Sequence, residues 1–282
     1  MNILVTGGAG FVGTNLIKQL LHVGYNVTSI DNYHTGLQSN HQEGCKYLNY
    51  DIRYIDDYSA FGQFDIVYHL AAIARIQPSF KNPESYFMTN ANATMKIAKW
   101  CSENNVPLVY AGSSSHHSGK FKNPYTFSKD VGEEIIKLFQ EHYGLNASIA
   151  RFYNVYGPYQ LKEGSYCTLI GIWERCMELG LPLTINGSGT KRRDFTHVDD
   201  IVDALMRISE YEAWGHIFEL GRGENYSVLE IALMFNGATL AFAADKPGEA
   251  QETLCTDTLA HSILNWAPTR DIKDYINNIY NK

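Results

Sequence analysis

No apolar run in this 282-residue sequence approaches 18 residues, which excludes a membrane-spanning helix. Basic charge is not in excess. The 23 Lys and Arg against 30 Asp and Glu leave a formal charge of −7, which argues against a protein that tracks nucleic-acid phosphates. A small anionic ligand is still compatible with that balance, because a ligand site is local. Cysteine is sparse: Cys45, Cys101, Cys167, Cys176 and Cys255 are odd in number and form no CxxC pair. Reduced thiols and a cytoplasmic setting are therefore expected. No HExxH occurs, and the adjacent His116 and His117 cannot share one face of a regular element, so no metal site is expected. There is no low-complexity stretch, no Pro- or Ser-rich linker and no solenoid repeat. The opening residues Met1–Thr6 already read as a strand, which leaves no room for a signal peptide.

What is present is a rhythm. Short apolar runs at Asn2–Thr6, Asn26–Ile30, Tyr47–Asn49, Asp65–Leu70, Pro107–Tyr110 and Ala147–Arg151 alternate with helical periodicity around Val12–His22, Tyr86–Asn104 and Ser128–Tyr143. Nearly continuous apolar strands separated by amphipathic helices predict an α/β, doubly wound parallel sheet covered on both faces. After about Asn154 the rhythm changes. Gly157-Pro158, Gly187-Ser188-Gly189 and Gly221-Arg222-Gly223 punctuate shorter elements, with helices expected at Thr168–Leu179, Val198–Glu210, Ser227–Phe235, Asp257–Asn265 and Asp271–Tyr280. The expected division is a dinucleotide-binding domain over residues 1–154. A smaller α/β substrate-binding lobe over 155–282 caps it, and some segments return to the first domain.

The strongest motif is Thr6-Gly7-Gly8-Ala9-Gly10-Phe11-Val12-Gly13, which follows the first strand and opens a helix. Its glycines fit G-x-G-x-x-G from Gly8, or the variant with one more residue from Gly7, ending in either case on Gly10 and Gly13. Such a turn needs glycine because it is tight, the backbone approaches a pyrophosphate and the helix packs closely on the sheet. The helix N-terminus then presents free N–H groups to phosphate. Asp31 ends the second strand, where a carboxylate can accept hydrogen bonds from the adenosine ribose and repel a 2′-phosphate. NAD rather than NADP is the expected cofactor. Tyr125 and Lys129 form Y-x-x-x-K, an i,i+4 pair on one helix face, after the fifth strand and the serine cluster Ser113-Ser114-Ser115. Strand C-termini line the ligand crevice of a doubly wound sheet, so these groups converge over the cofactor.

With these residues the chain resembles the extended short-chain dehydrogenase/reductases, specifically the NAD-dependent nucleotide-sugar epimerase/dehydratase group, essentially end to end. The resemblance also covers Asp31-Asn32, Asp51-Ile52, His69-Leu70-Ala71-Ala72, Asn90, the run Arg151–Pro158 and the run Arg193–Asp200. It implies a Rossmann-type fold, with Gly7, Gly10, Phe11, Val12 and Gly13 at the cofactor phosphates and Asp31 and Asn32 at the ribose. Asp51 and Ile52 would flank the adenine. Leu70, Ala71 and Ala72 would line the pyrophosphate and ribose, and Asn90, Tyr125 and Lys129 complete the cofactor set. It further implies Tyr125, Lys129 and Ser113 as catalytic residues. Ser113, Ser114, Tyr125, Asn154, Arg193 and Lys246 would contact a nucleotide-sugar substrate, and a homodimer would form through the helices around Tyr86–Asn104 and Ser128–Tyr143. Relatives carry a longer segment between the serine and the tyrosine than His116–Pro124, so a more open sugar pocket is expected. Lys246 stands where an arginine is common.

A phenol is a poor base at neutral pH; a Lys129 cation beside Tyr125 would lower its pKa. Tyr125 could then take a proton from a sugar hydroxyl while NAD takes hydride from the same carbon. Rotation of the keto sugar and hydride return would yield a 4-epimer. Dehydratases of this group place Asp-Glu directly after the catalytic hydroxyl residue, and decarboxylases usually have Glu two positions on; here Ser114-Ser115 follow Ser113. Epimerisation of a UDP-hexose is therefore the favoured reading. A dehydratase, a decarboxylase, a 4-keto reductase and a non-catalytic dinucleotide sensor are the alternatives.

Overall fold

The computed structural model describes residues 1–280. The apolar runs of the first half become β1 (Asn2–Thr6), β2 (Asn26–Asp31), β3 (Lys46–Asn49), β4 (Ile66–His69), β5 (Leu108–Ser113) and β6 (Ala147–Phe152). Between them run α1 (Phe11–His22), α2 (Ile76–Lys81), α3 (Pro83–Phe87), α4 (Ala93–Glu103) and α5 (Pro124–Tyr143). The second half supplies β7 (Val155–Tyr156), α6 (Leu169–Leu179), β8 (Leu183–Asn186), β9 (Arg192–Asp194), β10 (Thr196–His197), α7 (Val198–Glu210) and β11 (Ile217–Leu220). It ends with β12 (Asn225–Ser227), α8 (Val228–Met234), β13 (Leu240–Ala243), α9 (Leu259–Leu264) and α10 (Ile272–Tyr280).

The main sheet has the order β11-β6-β5-β4-β1-β2-β3, and every neighbouring pair is parallel. The chain winds outward from β1 to β3 and then starts again at β4 on the other side of β1. That reversal opens a crevice at the C-terminal ends of β1 and β4. Both faces of the sheet are covered. Leu16, Ile17, Leu205 and Ile208 of α1 and α7 close one face; Ile97, Trp100, Ile136 and Phe139 of α4 and α5 close the other. Burial on two sides is why the strands carry almost no alternating polar residues.

Two departures from the sequence reading matter for the site. Helix Tyr86–Asn104 is not one regular helix: its chain widens by one π-type turn over Met88–Asn92, between α3 and α4, and Asn90 lies in that turn. The helix with Lys129 starts earlier than Ser128. Asn123 accepts a hydrogen bond from the Thr126 N–H (2.8 Å) and Pro124 fills the first turn, so Tyr125 sits at the helix start.

A third core, built on Tyr156, Trp173, Ile185, Phe195, Ile231 and Ile276, belongs to the second half of the chain. Its strands pair only two by two: β7 with β10, β9 with β12 and β8 with β13. Residues of α7, β11 and α9 pack instead into the core of the main sheet, and β11 adds to that sheet beside β6. The chain thus crosses back into the first layer after residue 154. Among the described residues no helix is long and apolar enough to cross a membrane.

Candidate active site

A cleft of about 840 Å³ runs along the C-terminal ends of β1, β2, β4 and β5 and is closed from above by segments of the second half. Its floor at one end is the turn from β1 to α1. Gly7 adopts φ +74°, and a Cβ there would lie 2.8 Å from the backbone of Ala71; a Cβ on Gly13 would run into the carbonyl oxygen of Gly7. Gly7, Gly10, Phe11, Val12 and Gly13 line the cleft. Gly8 packs instead beneath it, against Ser29 and Ile17, so the motif is the longer variant counted from Gly7.

Asp31 stands at the rim, where its two carboxylate oxygens accept from the N–H of Ala9 (3.0 Å) and of Tyr33 (2.8 Å). Burial raises its pKa, and those two hydrogen bonds oppose the rise. Asn32 donates to Asp51 (2.9 Å), which also receives a fork from Arg53. Burial alone would raise the Asp51 pKa, but the hydrogen bonds from Arg53 and Asn32 outweigh it and hold the carboxyl at about 2. Ile52, Leu70, Ala71 and Ala72 complete this wall. The glycine cradle, open helix end and rim carboxylate fit a dinucleotide.

Asn90 does not join it. Its amide donates to the carbonyl of Ile73 (3.0 Å) and to Ser128 Oγ (3.0 Å), and its oxygen accepts from the Ile73 N–H (2.9 Å). It is buried and clamps the loop after β4 rather than facing the cleft, because a buried amide must spend its polar atoms on the protein. Below the same loop, His69 bridges Thr6 and Thr94, and burial pushes its pKa down to about 3, so it is a neutral strut.

At the other end Ser113 is the last residue of β5, and Tyr125 Oη donates to Ser113 Oγ at 3.2 Å. Ser113 Oγ also lies 2.9 Å from Ser115 Oγ, while Ser114 lines the cleft wall. Lys129 does not pair with Tyr125. Its Nζ donates to Tyr110 Oη (2.8 Å) and to the carbonyl of Ala111 (2.6 Å), at 4% exposure. Burial brings its pKa down to about 7. The expected lowering of the Tyr125 pKa by Lys129 is therefore corrected. Burial raises that pKa, and the hydrogen bond with Ser113 and then the charge of Arg75 act against the rise.

The Lys129 shift has a measurable consequence. Between about pH 7 and 10.5 the unfolded chain still holds the lysine proton, whose ordinary pKa is 10.5, while the folded, cofactor-free site gives it up. Stability therefore rises with pH across that window through this group. Tm measured against pH should climb in the wild type and flatten in Lys129→Met; the same climb in both would place the titration elsewhere.

Arg193, Lys246 and Asn154, also expected at the substrate, are spread along the cleft wall formed by the second half of the chain. Arg193 of β9 lines the cleft, donates to the carbonyl of Arg192 (2.8 Å) and lies 3.6 Å from Glu249. Lys246 is exposed on the rim, and Asn154 Nδ2 is tied to Asp194 O (2.9 Å) and Thr253 Oγ1 (3.0 Å). Three cleft cations were not read from the sequence: Arg53, held on Asp51, together with Lys191 and Arg75. Lys191 carried no motif, and Arg75 sits in the loop after β4 at φ +100° with its Nε on the carbonyl of Tyr166 (3.0 Å). Such a backbone in a non-glycine residue costs on the order of 1–3 kcal/mol. The short loop after Ser115 is held by His116 on Asp130 and His117 on Glu219, each at 2.9 Å. Donor atoms of His116, Asp130 and Glu133 lie within 4.8 Å of one another. Arg151 already occupies both oxygens of Glu133, however, and its charge would repel a cation there.

A doubly wound sheet with a glycine turn at its switch point and a Ser–Tyr pair over a buried lysine defines a dinucleotide-dependent enzyme. The sequence profile of the NAD dependent epimerase/dehydratase family matches residues 3–221, and the chain belongs to that family. It is an NAD-dependent enzyme. It is 30% identical to a Methanocaldococcus jannaschii protein provisionally named UDP-glucose 4-epimerase, over 99% of this chain and 97% of that one. It is 28% identical to the UDP-N-acetyl-alpha-D-glucosaminuronate decarboxylase of Bacillus cytotoxicus, over 81% and 77%. The crystal structure of the UDP-glucuronic acid 4-epimerase of Bacillus cereus with UDP-glucuronic acid and NAD is similar at TM-score 0.88 and 28% identity, over 100% and 98%.

Proposed function

We propose that the protein is a nucleotide-sugar 4-epimerase, acting on a UDP-hexose or related UDP-sugar. The observation that carries this reading is the 3.2 Å contact between Tyr125 and Ser113 at the end of β5, followed by serines rather than carboxylates at positions 114 and 115. NAD, held by the glycine turn and Asp31, would supply a hydride acceptor and donor and a positive charge that favours the phenolate. Tyr125 takes the proton of the sugar 4-hydroxyl and gives it back after the keto sugar has turned. Ser113 hydrogen-bonds the reacting oxygen. Lys129 keeps a third donor direction for a ribose hydroxyl, with its first two spent on Tyr110 and Ala111. Asp31 accepts from the adenosine ribose and disfavours a 2′-phosphate, which supports NAD over NADP. Arg193 and Lys246 hold the diphosphate, while Asn154 braces the wall between them and the sugar.

Dehydratases of this group carry Asp-Glu where Ser114 and Ser115 stand, and decarboxylases usually carry Glu at the second of these positions, so the two serines support epimerisation. Exposed Phe87, Met88, Met95 and Leu138 on α3 to α5 and the turn joining them support a homodimer through that helical face. Incubating the protein with UDP-glucose, UDP-N-acetylglucosamine and UDP-glucuronate, without added NAD, should give a 4-epimer by NMR with no accumulation of NADH. A 4-keto-6-deoxy sugar or a pentose as product would overturn the epimerase reading.

A further inference from the structure

Every arginine of the chain other than Arg75 has a carboxylate oxygen within 4.0 Å of its guanidinium. Among the described residues Arg75 has none, although it lies in the cleft. The groups that feel its charge are two phenols and a thiol: Tyr125, Cys167 and Tyr86. A half-buried cation without an anion is costly, yet the fold holds this one in place. Tyr86 Oη donates to the carbonyls of Arg75 (2.9 Å) and Ala74 (3.3 Å), fixing the left-handed turn, and its ring meets the Tyr125 ring edge-on at 6.3 Å. The guanidinium is thereby kept in the compartment of the reacting hydroxyl. The diphosphate end has cations of its own, Lys191 and Arg193, and both of those face Glu249.

We infer that Arg75 receives a carboxylate carried by the sugar itself, so that the substrate is a nucleotide uronate rather than a neutral nucleotide hexose. This rests on the nucleotide-sugar reading above and narrows it. With Nε committed to Tyr166, the two terminal nitrogens remain to meet both oxygens of a carboxylate, a geometry that a guanidinium offers and an ammonium does not. The ligand would supply the anion that the protein withholds.

The test uses the NAD-loaded protein and its Arg75→Met and Arg75→Lys variants, with binding of UDP-glucuronate and UDP-glucose measured by calorimetry and conversion followed by NMR. Wild type should bind UDP-glucuronate at least about tenfold more tightly than UDP-glucose. Arg75→Met should abolish the preference, and Arg75→Lys, which keeps charge without the fork, should reduce it by less. Equal losses on both sugars, or a wild type that prefers UDP-glucose, would overturn the assignment; Arg75→Lys carries the comparison if Arg75→Met does not fold. Arg75-dependent binding of UDP-glucuronate without its 4-epimer would uphold the carboxylate site and overturn the epimerase reading alone.

Discussion

Tyr125→Phe is expected to lower kcat by about 10²–10⁴-fold, the range of a removed general base, with kcat/KM falling in parallel. The substitution deletes one hydroxyl and keeps the ring that packs against Tyr86. The loss should therefore fall on turnover rather than on folding or nucleotide affinity. Ser113→Ala removes the partner at 3.2 Å and should cost about ten- to a thousandfold. Because the two hydroxyls act on one oxygen, the double variant should be far less impaired than the product of the single losses. Lys129→Met should weaken NAD as well as turnover, since Lys129 also shapes the wall through Tyr110 and Ala111. Arg193→Ala should raise KM with a smaller effect on kcat, because a diphosphate contact is made in ground and transition states alike. Steady-state kinetics on these variants, with matched melting curves, gives the ranking. Near-normal turnover in Tyr125→Phe would end the mechanism proposed here.

The parts of this site that were legible in the sequence are those where one local requirement selects one residue type. A turn at φ +74° that touches Ala71 calls for glycine, and a carboxylate at the end of β2 follows from a strand of fixed length. Strand β5 proved longer than its apolar run, ending at Ser113 instead of Tyr110, because Ala111 and Gly112 extend the pairing with β6. Other features depend on contacts distant in sequence. Lys129 finds Tyr110 rather than Tyr125, since on the buried face of α5 the acceptors at the end of β5 stand closer to its ammonium. Asn90 is polar at an expected position, but the π-type turn aims it at the loop after β4. Strand β11 was not read at all: Ile217–Leu220 is four residues long and carries a glutamate, which only its partner on β6 explains.

That partner is the basis of the second large effect. Arg151 of β6 is 5% exposed and binds Glu133 of α5 through Nε (3.0 Å) and Glu219 of β11 through Nη1 (2.8 Å). Tyr153 Oη adds a bond to Glu219 (3.1 Å), and His117 lies on the same carboxylate. One guanidinium thus joins the strand nearest the sheet edge, the edge strand and the helix that carries Tyr125. Arg151→Met should destabilise the protein by about 3–5 kcal/mol, because it leaves two buried carboxylates facing each other without a cation. Replacing all three together, Arg151→Met with Glu133→Gln and Glu219→Gln, should recover much of that loss, since a buried ion pair is worth little against neutral groups of similar shape. Urea unfolding with m held constant gives both numbers. The site should register the change too: Glu133 accepts from the Ser113 N–H (3.4 Å), so turnover should fall in Arg151→Met even where the protein remains folded. A loss below about 1 kcal/mol would mean that water reaches this network and that the edge strand is held by its backbone ladder alone.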